Sequence, residues 1–443
     1  MPLRLALPKG RLQPRVAAWL HGWGITGYGE NSRSYRPTCS LPGLQLKVFQ
    51  ERDIPVQVAV GNYDLGICGR DWVEELLARY PQSPLLRVQE LGFGRGQLFL
   101  AAARNSPWDS LQALARSPAT LRLASQYPNL TEALALRVRL RRFQVFPLWG
   151  AAEVYPPESA DLVLVAAASR EELVAQGLVP LEALQPTTAC LIAHRPSWEG
   201  GNLAGALEAL PAPPAEPQSE PPSQGKPPSF APYPASWVRL ALPDGHLQPP
   251  TREFLPRAGL PDYVPGERRF SWEGVGVKVV RPQDMPLQVA NGNFDLAITG
   301  EDWLRDHLVC FPGSPVQQYA CLGFARVKIV AVTGPDGTEP LAGRQSLRVA
   351  SEYVNLADRY MREKHLRYRV IPTWGASEAF LPEDADLLIE NMETGQTLAS
   401  HGLRVVEVLF QSSACLIGHK EPAPERREPI AHLVEIFRRG IRS

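Results

Sequence analysis

The sequence predicts an α/β fold made of two tandem copies of one domain, each with two lobes and mixed, mainly parallel sheets. Three observations carry that expectation. The 443-residue chain repeats itself: LRLALPKGRLQP at 3–14 returns as VRLALPDGHLQP at 238–249, and VGNYDLGICGRDW at 60–72 returns as NGNFDLAITGEDW at 291–303. LGFGR (91–95) returns as LGFAR (322–326), and WGAAEVYPPESADLVL (149–164) as WGASEAFLPEDADLLI (374–389). Within each copy, short apolar runs alternate with helical patterns, which is the signature of strand–helix–strand units around a parallel sheet. Between the copies, residues 211–234 are dominated by Pro, Ser, Gln, Glu and Ala. Such a segment buries too little apolar surface to offset its ordering entropy, so it reads as a linker.

The elements follow in order. Residues 3–7 and 238–242 are apolar strands ending at Pro8 and Pro243, and a Gly-containing turn leads each into an amphipathic helix over 12–22 and 247–258. Alternation at 44–49 and 275–280 predicts a second strand, and Ile54-Pro55 and Met285-Pro286 open helices with Pro in the first turn. Residues 64–68 and 295–299 read as buried strands, each followed by Gly and a helix. A second αβ lobe is expected over about 95–170 and 326–395, with the last strand (188–194, 413–419) returning to the first lobe. Each copy then becomes a two-lobed clamp, resembling the periplasmic-binding-protein-like (type II) fold. The expected domains are 1–208 and 237–443, joined by a linker over 209–236.

Composition narrows the class. The hydrophobic fraction of 44% suffices for a core in each copy. Lys plus Arg equals Asp plus Glu, 46 each, which argues against a nucleic-acid surface. No run approaches a membrane span and the N-terminus lacks the apolar stretch of a signal peptide, so a soluble cytoplasmic protein with no membrane partner is expected. The six cysteines show no CxxC or zinc-ligand spacing and are expected to be small buried core residues. No GxSxG elbow or HxxxH pattern supports hydrolase chemistry.

The chemistry concentrates in Glu390-Asn391-Met392-Glu393-Thr394-Gly395-Gln396-Thr397-Leu398. Residues 386–390 read as a buried strand, and 392–397 as the turn opening the next helix. Gly395 lets backbone N–H groups approach a phosphate, and Thr394 and Thr397 add hydroxyl donors. Glu390 and Glu393 can take ribose hydroxyls or Mg²⁺ on a pyrophosphate. Acidic residues followed by Thr-Gly-x-Thr after a strand are the pattern of loops that bind 5-phosphoribosyl-1-pyrophosphate (PRPP). The first copy has no working counterpart: Thr394, Gly395 and Thr397 are replaced by Ser169, Arg170 and Glu172.

Taken together, LPKGRL, RDIP (52–55), DLGICGRDW, LGFGR, YPNL (127–130) and ETGQTL (393–398) closely resemble the ATP phosphoribosyltransferase family, in its short form. The resemblance covers both copies. It implies transfer of the phosphoribosyl group of PRPP to N1 of ATP with release of pyrophosphate, the first step of histidine biosynthesis. It also implies Mg²⁺ as cofactor and a possible regulatory partner resembling histidyl-tRNA synthetase. In such a reaction Lys9 and Arg11, on the Gly10 turn, are the expected catalytic cations, and Arg52, Arg70 and Arg95 are candidate contacts to nucleotide or pyrophosphate. The second copy replaces Lys9, Arg11, Arg52 and Arg70 with Asp244, His246, Gln283 and Glu301, where Asp244 and Glu301 would repel pyrophosphate. Each copy thus keeps what the other has lost. The expectation is an intramolecular pseudo-dimer with one composite site, its PRPP loop from 390–398 and its cations from Lys9–Arg11. The alternative is a non-catalytic paralogue that binds a nucleotide or histidine and regulates a separate transferase.

Overall fold

Apolar runs bounded by Gly and Pro become strands, and the described residues build four sheets from them. The computed structural model describes residues 2–29, 34–200, 203, 231–337 and 345–442. The expected linker lies outside the described residues as far as position 230. Unit 1 comprises Met1–Pro147, Asp161–Phe230 and Trp374–Ala379; unit 2 comprises Leu148–Ala160, Ala231–Thr373 and Phe380–Ser443. The units follow the two sequence copies except at the two Trp-Gly-Ala segments, each of which packs within the unit built mainly by the other copy.

In unit 1 the first lobe contains β1 (Leu3–Lys9), β2 (Leu44–Gln50), β3 (Leu65–Gly69) and β4 (Leu85–Glu90). The second lobe follows with β5 (Gly96–Ala103), β6 (Leu121–Ser125), β7 (Phe143–Pro147), β8 (Leu162–Ala167) and β9 (Leu178–Thr187), and β10 (Ala189–His194) returns to the first. The strand orders are β2-β1-β3-β10-β4 and β7-β6-β8-β5-β9. Two crossings therefore join the lobes, at β4 to β5 and at β9 to β10. The expected return of the last strand is found.

Unit 2 repeats the plan. Its first lobe holds β11 (Val238–Pro243), β12 (Arg269–Trp272), β13 (Val275–Val280), β14 (Leu296–Gly300) and β15 (Val316–Cys321). Its second holds β16 (Val327–Thr333), β17 (Leu347–Ser351), β18 (Tyr368–Pro372), β19 (Leu387–Met392) and β20 (Arg404–Ser412), before β21 (Ala414–His419) returns. The orders are β12-β13-β11-β14-β21-β15 and β18-β17-β19-β16-β20.

Some expectations are refined. The sheets are mixed, with parallel pairs no more numerous than antiparallel ones: β1 runs parallel to β2 and β3, while β10 runs antiparallel to β3 and β4. The cause is the double crossing, which brings the returning strand back against the direction of its neighbours. The strands expected from Asp64 and Asp295 begin one residue later, because these carboxylates accept the N–H of Arg4 (2.9 Å) and Arg239 (2.8 Å) instead. The first helix is α-helical over Gln13–Trp19 and tightens to a 3-10 turn at Leu20–Trp23, which Gly24 closes at φ +60°. Its counterpart spans Gln248–Arg257. Buried cysteine is correct for Cys68, Cys190 and Cys415, but Cys310 and Cys321 are exposed and Cys39 is intermediate. Cys310 and Cys321 end a helix and a strand, where the chain leaves the core.

The core of unit 2's first lobe joins Leu240, Leu242, Phe254 and Leu416 to Ile430, Leu433 and Phe437 of the C-terminal helix Arg427–Arg442. Among the described residues, no helix is long and apolar enough to cross a membrane.

Candidate active site

The turn singled out by sequence lies where a buried strand gives way to a helix. β19 ends at Met392, and the helix Gln396–Ser400 opens from Gly395 in the left-handed conformation at φ +77°. That φ favours glycine, and a Cβ there would lie 3.2 Å from the Met392 Sδ. Glu393, Thr394, Gln396 and Thr397 are exposed and Leu398 is buried, so Leu398 pins the turn while its polar residues face outward. The Gln396 N–H reaches Thr394 Oγ1 at 3.4 Å. With five helical residues the macrodipole is small, and the turn's donors are its N–H groups and hydroxyls. Glu390, half-buried on β19, accepts from the backbone and side-chain N–H groups of Asn391, both at 2.9 Å.

The same position in unit 1 is filled by the chain itself. Ser169 Oγ caps the helix by accepting from the Glu172 N–H (3.3 Å), and Glu172 Oε2 accepts from the Ala168 N–H (2.7 Å). A carboxylate thus occupies a donor that a phosphate would need. Arg170, in place of the glycine, turns away to the Pro180 carbonyl at 3.1 Å. Val165 and Ala166 replace Glu390 and Asn391, and Ala166, with Ala167, Ala168 and Glu172, lines a cleft of about 800 Å³ in unit 1.

Of the candidate cations of the first copy, Arg11 and Arg95 line that cleft, while Lys9, Arg52 and Arg70 do not. Arg11, Arg15 and Arg95 line it with Asp71, Trp72 and Tyr127. Arg11 pairs with Glu51 at 3.0 Å and donates to the Gly94 carbonyl at 3.3 Å. Glu51 also accepts the Gly69 N–H at 2.9 Å. Burial, with Asp71 nearby, outweighs Arg11 and lifts the Glu51 carboxyl to about 7. Lys9 Nζ lies 3.4 Å from the Tyr35 hydroxyl and 5.0 Å from its ring centre. Gly10 takes φ +94°, which only glycine adopts without strain. Arg95 donates to the Gly92 carbonyl at 3.0 Å. Arg70 is engaged elsewhere, with Glu90 at 2.9 Å and Glu74 at 3.5 Å. Arg52 lies over Trp374 at 4.1 Å and Trp72 at 5.3 Å. Arg11 and Arg95 thus share one cleft, while Arg52 and Arg70 have packing and ion-pair partners. The Glu390–Leu398 turn belongs to unit 2.

Asp244 is not the bare repulsive charge expected. It pairs with Arg268 (3.1 Å) and Arg281 (3.3 Å), and Glu301 pairs with Arg305 (2.5 Å). Unit 2 therefore has cations that the motif comparison missed. The signal was present: Arg281 stands where the first copy has Gln50. Also missed was the network under each clamp. In unit 1, Asp71 accepts from Tyr127 (2.5 Å) and Thr187 (2.9 Å). In unit 2, Asp302 accepts from Tyr353 (2.5 Å) and Ser412 (2.7 Å), and the Asn391 amide donates to the Tyr353 hydroxyl (3.2 Å).

Comparison with known proteins agrees with the motifs. The HisG family model, described as ATP phosphoribosyltransferase, matches residues 50–210 and 281–439. An ATP phosphoribosyltransferase of Saccharolobus solfataricus is 33% identical over 194 residues, covering 41% of this chain and 64% of the relative. That of Metallosphaera sedula is 30% identical over 215 residues, covering 46% and 73%. This chain thus spans less than two thirds of the length of the Saccharolobus protein. Among solved structures, the ATP phosphoribosyl transferase (HisG:HisZ) complex from Thermotoga maritima is similar at 21% identity and a TM-score of 0.40, covering 46% of this chain and 98% of that one. The periplasmic aliphatic sulphonate binding protein SsuA from Escherichia coli is similar at 18% identity and a TM-score of 0.31, covering 46% and 70%.

Proposed function

Because the chain belongs to the ATP phosphoribosyltransferase family, we propose that it transfers the 5-phosphoribosyl group of PRPP to N1 of ATP and releases pyrophosphate, the first step of histidine biosynthesis. The observation that carries this reading is the Glu390–Leu398 turn, with Gly395 at φ +77° and Glu393, Thr394, Gln396 and Thr397 exposed. In this reading Thr394, Gly395, Gln396 and Thr397 donate to the ribose 5-phosphate, and Glu390 and Glu393 accept from ribose hydroxyls. Leu398 anchors the turn in the core.

As the bond from C1 to pyrophosphate breaks, negative charge grows on the leaving group and positive charge on the ribose ring. Lys9 and Arg11, held by the Gly10 turn, are the groups assigned to that leaving charge. Arg95, in the same cleft as Arg11, is assigned to a nucleotide phosphate. Arg52 and Arg70 are also assigned to nucleotide or pyrophosphate, and Arg70 would exchange Glu90 and Glu74 for that contact. Mg²⁺ fits as an ion carried by the substrate. Among the described residues, no group of three His, Cys, Asp or Glu side chains could hold a metal, and Glu390 offers one carboxylate. That suits an ion which keeps most of its ligands from phosphates and water. When bound, it would neutralise pyrophosphate charge.

One activity then depends on residues of both sequence copies, as expected of a fused pseudo-dimer in the cytoplasm. A regulatory subunit resembling histidyl-tRNA synthetase belongs to the same reading. The test is pyrophosphate release from ATP, PRPP and Mg²⁺ by the full chain. Gly395→Ala should raise the KM for PRPP roughly tenfold, and the Lys9→Ala/Arg11→Ala double variant should lower kcat by about 10²-fold. No pyrophosphate from the wild-type chain would favour the regulatory paralogue. Full activity of the double variant would refute the divided site.

A further inference from the structure

Each clamp is joined by two crossing segments, and in unit 2 a cysteine stands at the first-lobe end of each. Cys321 is the last residue of β15, before the chain crosses to β16; Cys415 follows the return crossing, at the start of β21. The two are register partners on antiparallel strands. The neighbouring pair carries the hydrogen bond, from the Leu322 N–H to the Ala414 carbonyl at 2.9 Å. Cys321 and Cys415 therefore occupy the non-hydrogen-bonded register, where Cα atoms lie about 4.5 Å apart and side chains share a face. That spacing falls within the range a disulfide spans, about 4.4–6.8 Å.

We propose that Cys321 and Cys415 form a reversible disulfide that links β15 to β21 where the two crossing segments of unit 2 leave and re-enter the first lobe. Cys321 is exposed, and its Sγ lies 3.3 Å from the Ser413 hydroxyl, which can donate to a thiolate. Cys415 is buried, and burial pushes its thiol well above the ordinary range. The order of events follows. The Cys321 thiolate attacks one sulfur of a small-molecule disulfide, forming a mixed disulfide and expelling one thiolate. Cys415 then loses its proton and attacks the Cys321 sulfur, expelling the second thiolate. Two protein thiols lose two electrons, and the reagent takes them up as two thiols.

The other cysteines lack this arrangement. In unit 1, Glu90 occupies the register position of Cys321, facing Cys190. Cys190 also faces Cys68 on β3, but both are buried, and the Cys190 thiol donates to the Cys68 carbonyl at 3.4 Å. Cys310 is exposed and faces no register partner among the described strands.

The test uses the full chain, native, with oxidised glutathione as oxidant, followed by alkylation of free thiols and unreduced peptide mapping. A peptide joining Cys321 to Cys415 is expected, lost on adding dithiothreitol, with a melting temperature that rises on oxidation and returns on reduction. In Cys321→Ser, an exposed and structurally mild change, the link disappears and Cys415 stays unmodified in the native state. In Cys415→Ser, glutathione remains trapped on Cys321. A glutathione adduct that persists on Cys321 in the wild-type chain, or a Cys321 that does not react, would overturn the proposal. Neither result depends on transferase activity, so this inference and the functional reading fail separately.

Discussion

Glu51 sets the electrostatics of the cleft in unit 1. It bonds Arg11 and the Gly69 N–H, yet burial and Asp71 hold its carboxyl near 7 against an ordinary 4.5. Between those pH values the folded chain binds more protons at this residue than the unfolded chain does. The contribution of this group is therefore complete below about 4.5 and is lost as pH rises through about 7, a change of about 3 kcal/mol. Glu51→Gln keeps an acceptor for both donors and removes the titration. Melting temperatures measured from pH 5 to 7.5 should fall more steeply for the wild type than for the variant. Parallel curves would mean that Glu51 titrates normally. This residue was not legible in the sequence, because its counterpart is Pro282 and no motif contains it. The Gly395 turn was legible because Thr-Gly-x-Thr needs no partner from elsewhere in the chain. Asp244 was misread for the opposite reason: its charge is evident in the sequence, but its partners Arg268 and Arg281 lie 24 and 37 positions away.

At the scale of elements, the repeat itself works as a two-sequence comparison. Residues alike in both copies build the clamp. Asp71 and Asp302, Tyr127 and Tyr353, and Thr187 and Ser412 are matched, and each set ties the first lobe of its unit to the second. A second tie runs beside them. Glu75 accepts the N–H groups of Asn129 and Leu130 (both 2.9 Å), and Asp306 accepts those of Asn355 (3.0 Å) and Leu356 (2.9 Å), so each acid caps a helix of the opposite lobe. Tyr353→Phe removes the hydroxyl between Asp302 and Asn391 and leaves a buried carboxylate one donor short. The cost should be about 1–3 kcal/mol in denaturant unfolding, with the native helix content unchanged. A variant as stable as wild type would show that Ser412 alone satisfies Asp302. The strands built from periodic apolar runs were legible. β4, β12 and β15 were not, since β4 and β15 alternate weakly with exposed polar residues and β12 is a short hairpin arm.

At the scale of the whole molecule, neither unit is made from one copy alone. Within unit 2, the first-copy segment Leu148–Ala160 supplies Trp149, whose N–H donates to both Asp284 oxygens at 3.0 and 3.1 Å and whose ring meets Trp303 at 5.7 Å. It also supplies Glu158, which pairs with the buried Lys278 at 2.7 Å and with Arg269 at 2.6 Å. Lys278 in turn donates to the Tyr155 carbonyl at 2.7 Å. Burial alone would raise the Glu158 carboxyl, but Lys278 and Arg269 prevail and hold it at about 2. Its contribution to stability is therefore complete above about 4.5 and is lost as pH falls through about 2. Glu158→Gln leaves Lys278 a buried charge without its counter-ion, which costs about 3–5 kcal/mol where such pairs are broken on one side. The variant should unfold at markedly lower denaturant at pH 7, and its deficit should shrink as the pH is taken from 4.5 towards 2. If Leu148–Ala160 merely lay on the surface of unit 2, the substitution would shift unfolding by less than about 0.5 kcal/mol, as exposed changes do. A large, acid-sensitive deficit would mean that unit 2 needs the first-copy segment Leu148–Ala160 to complete its fold.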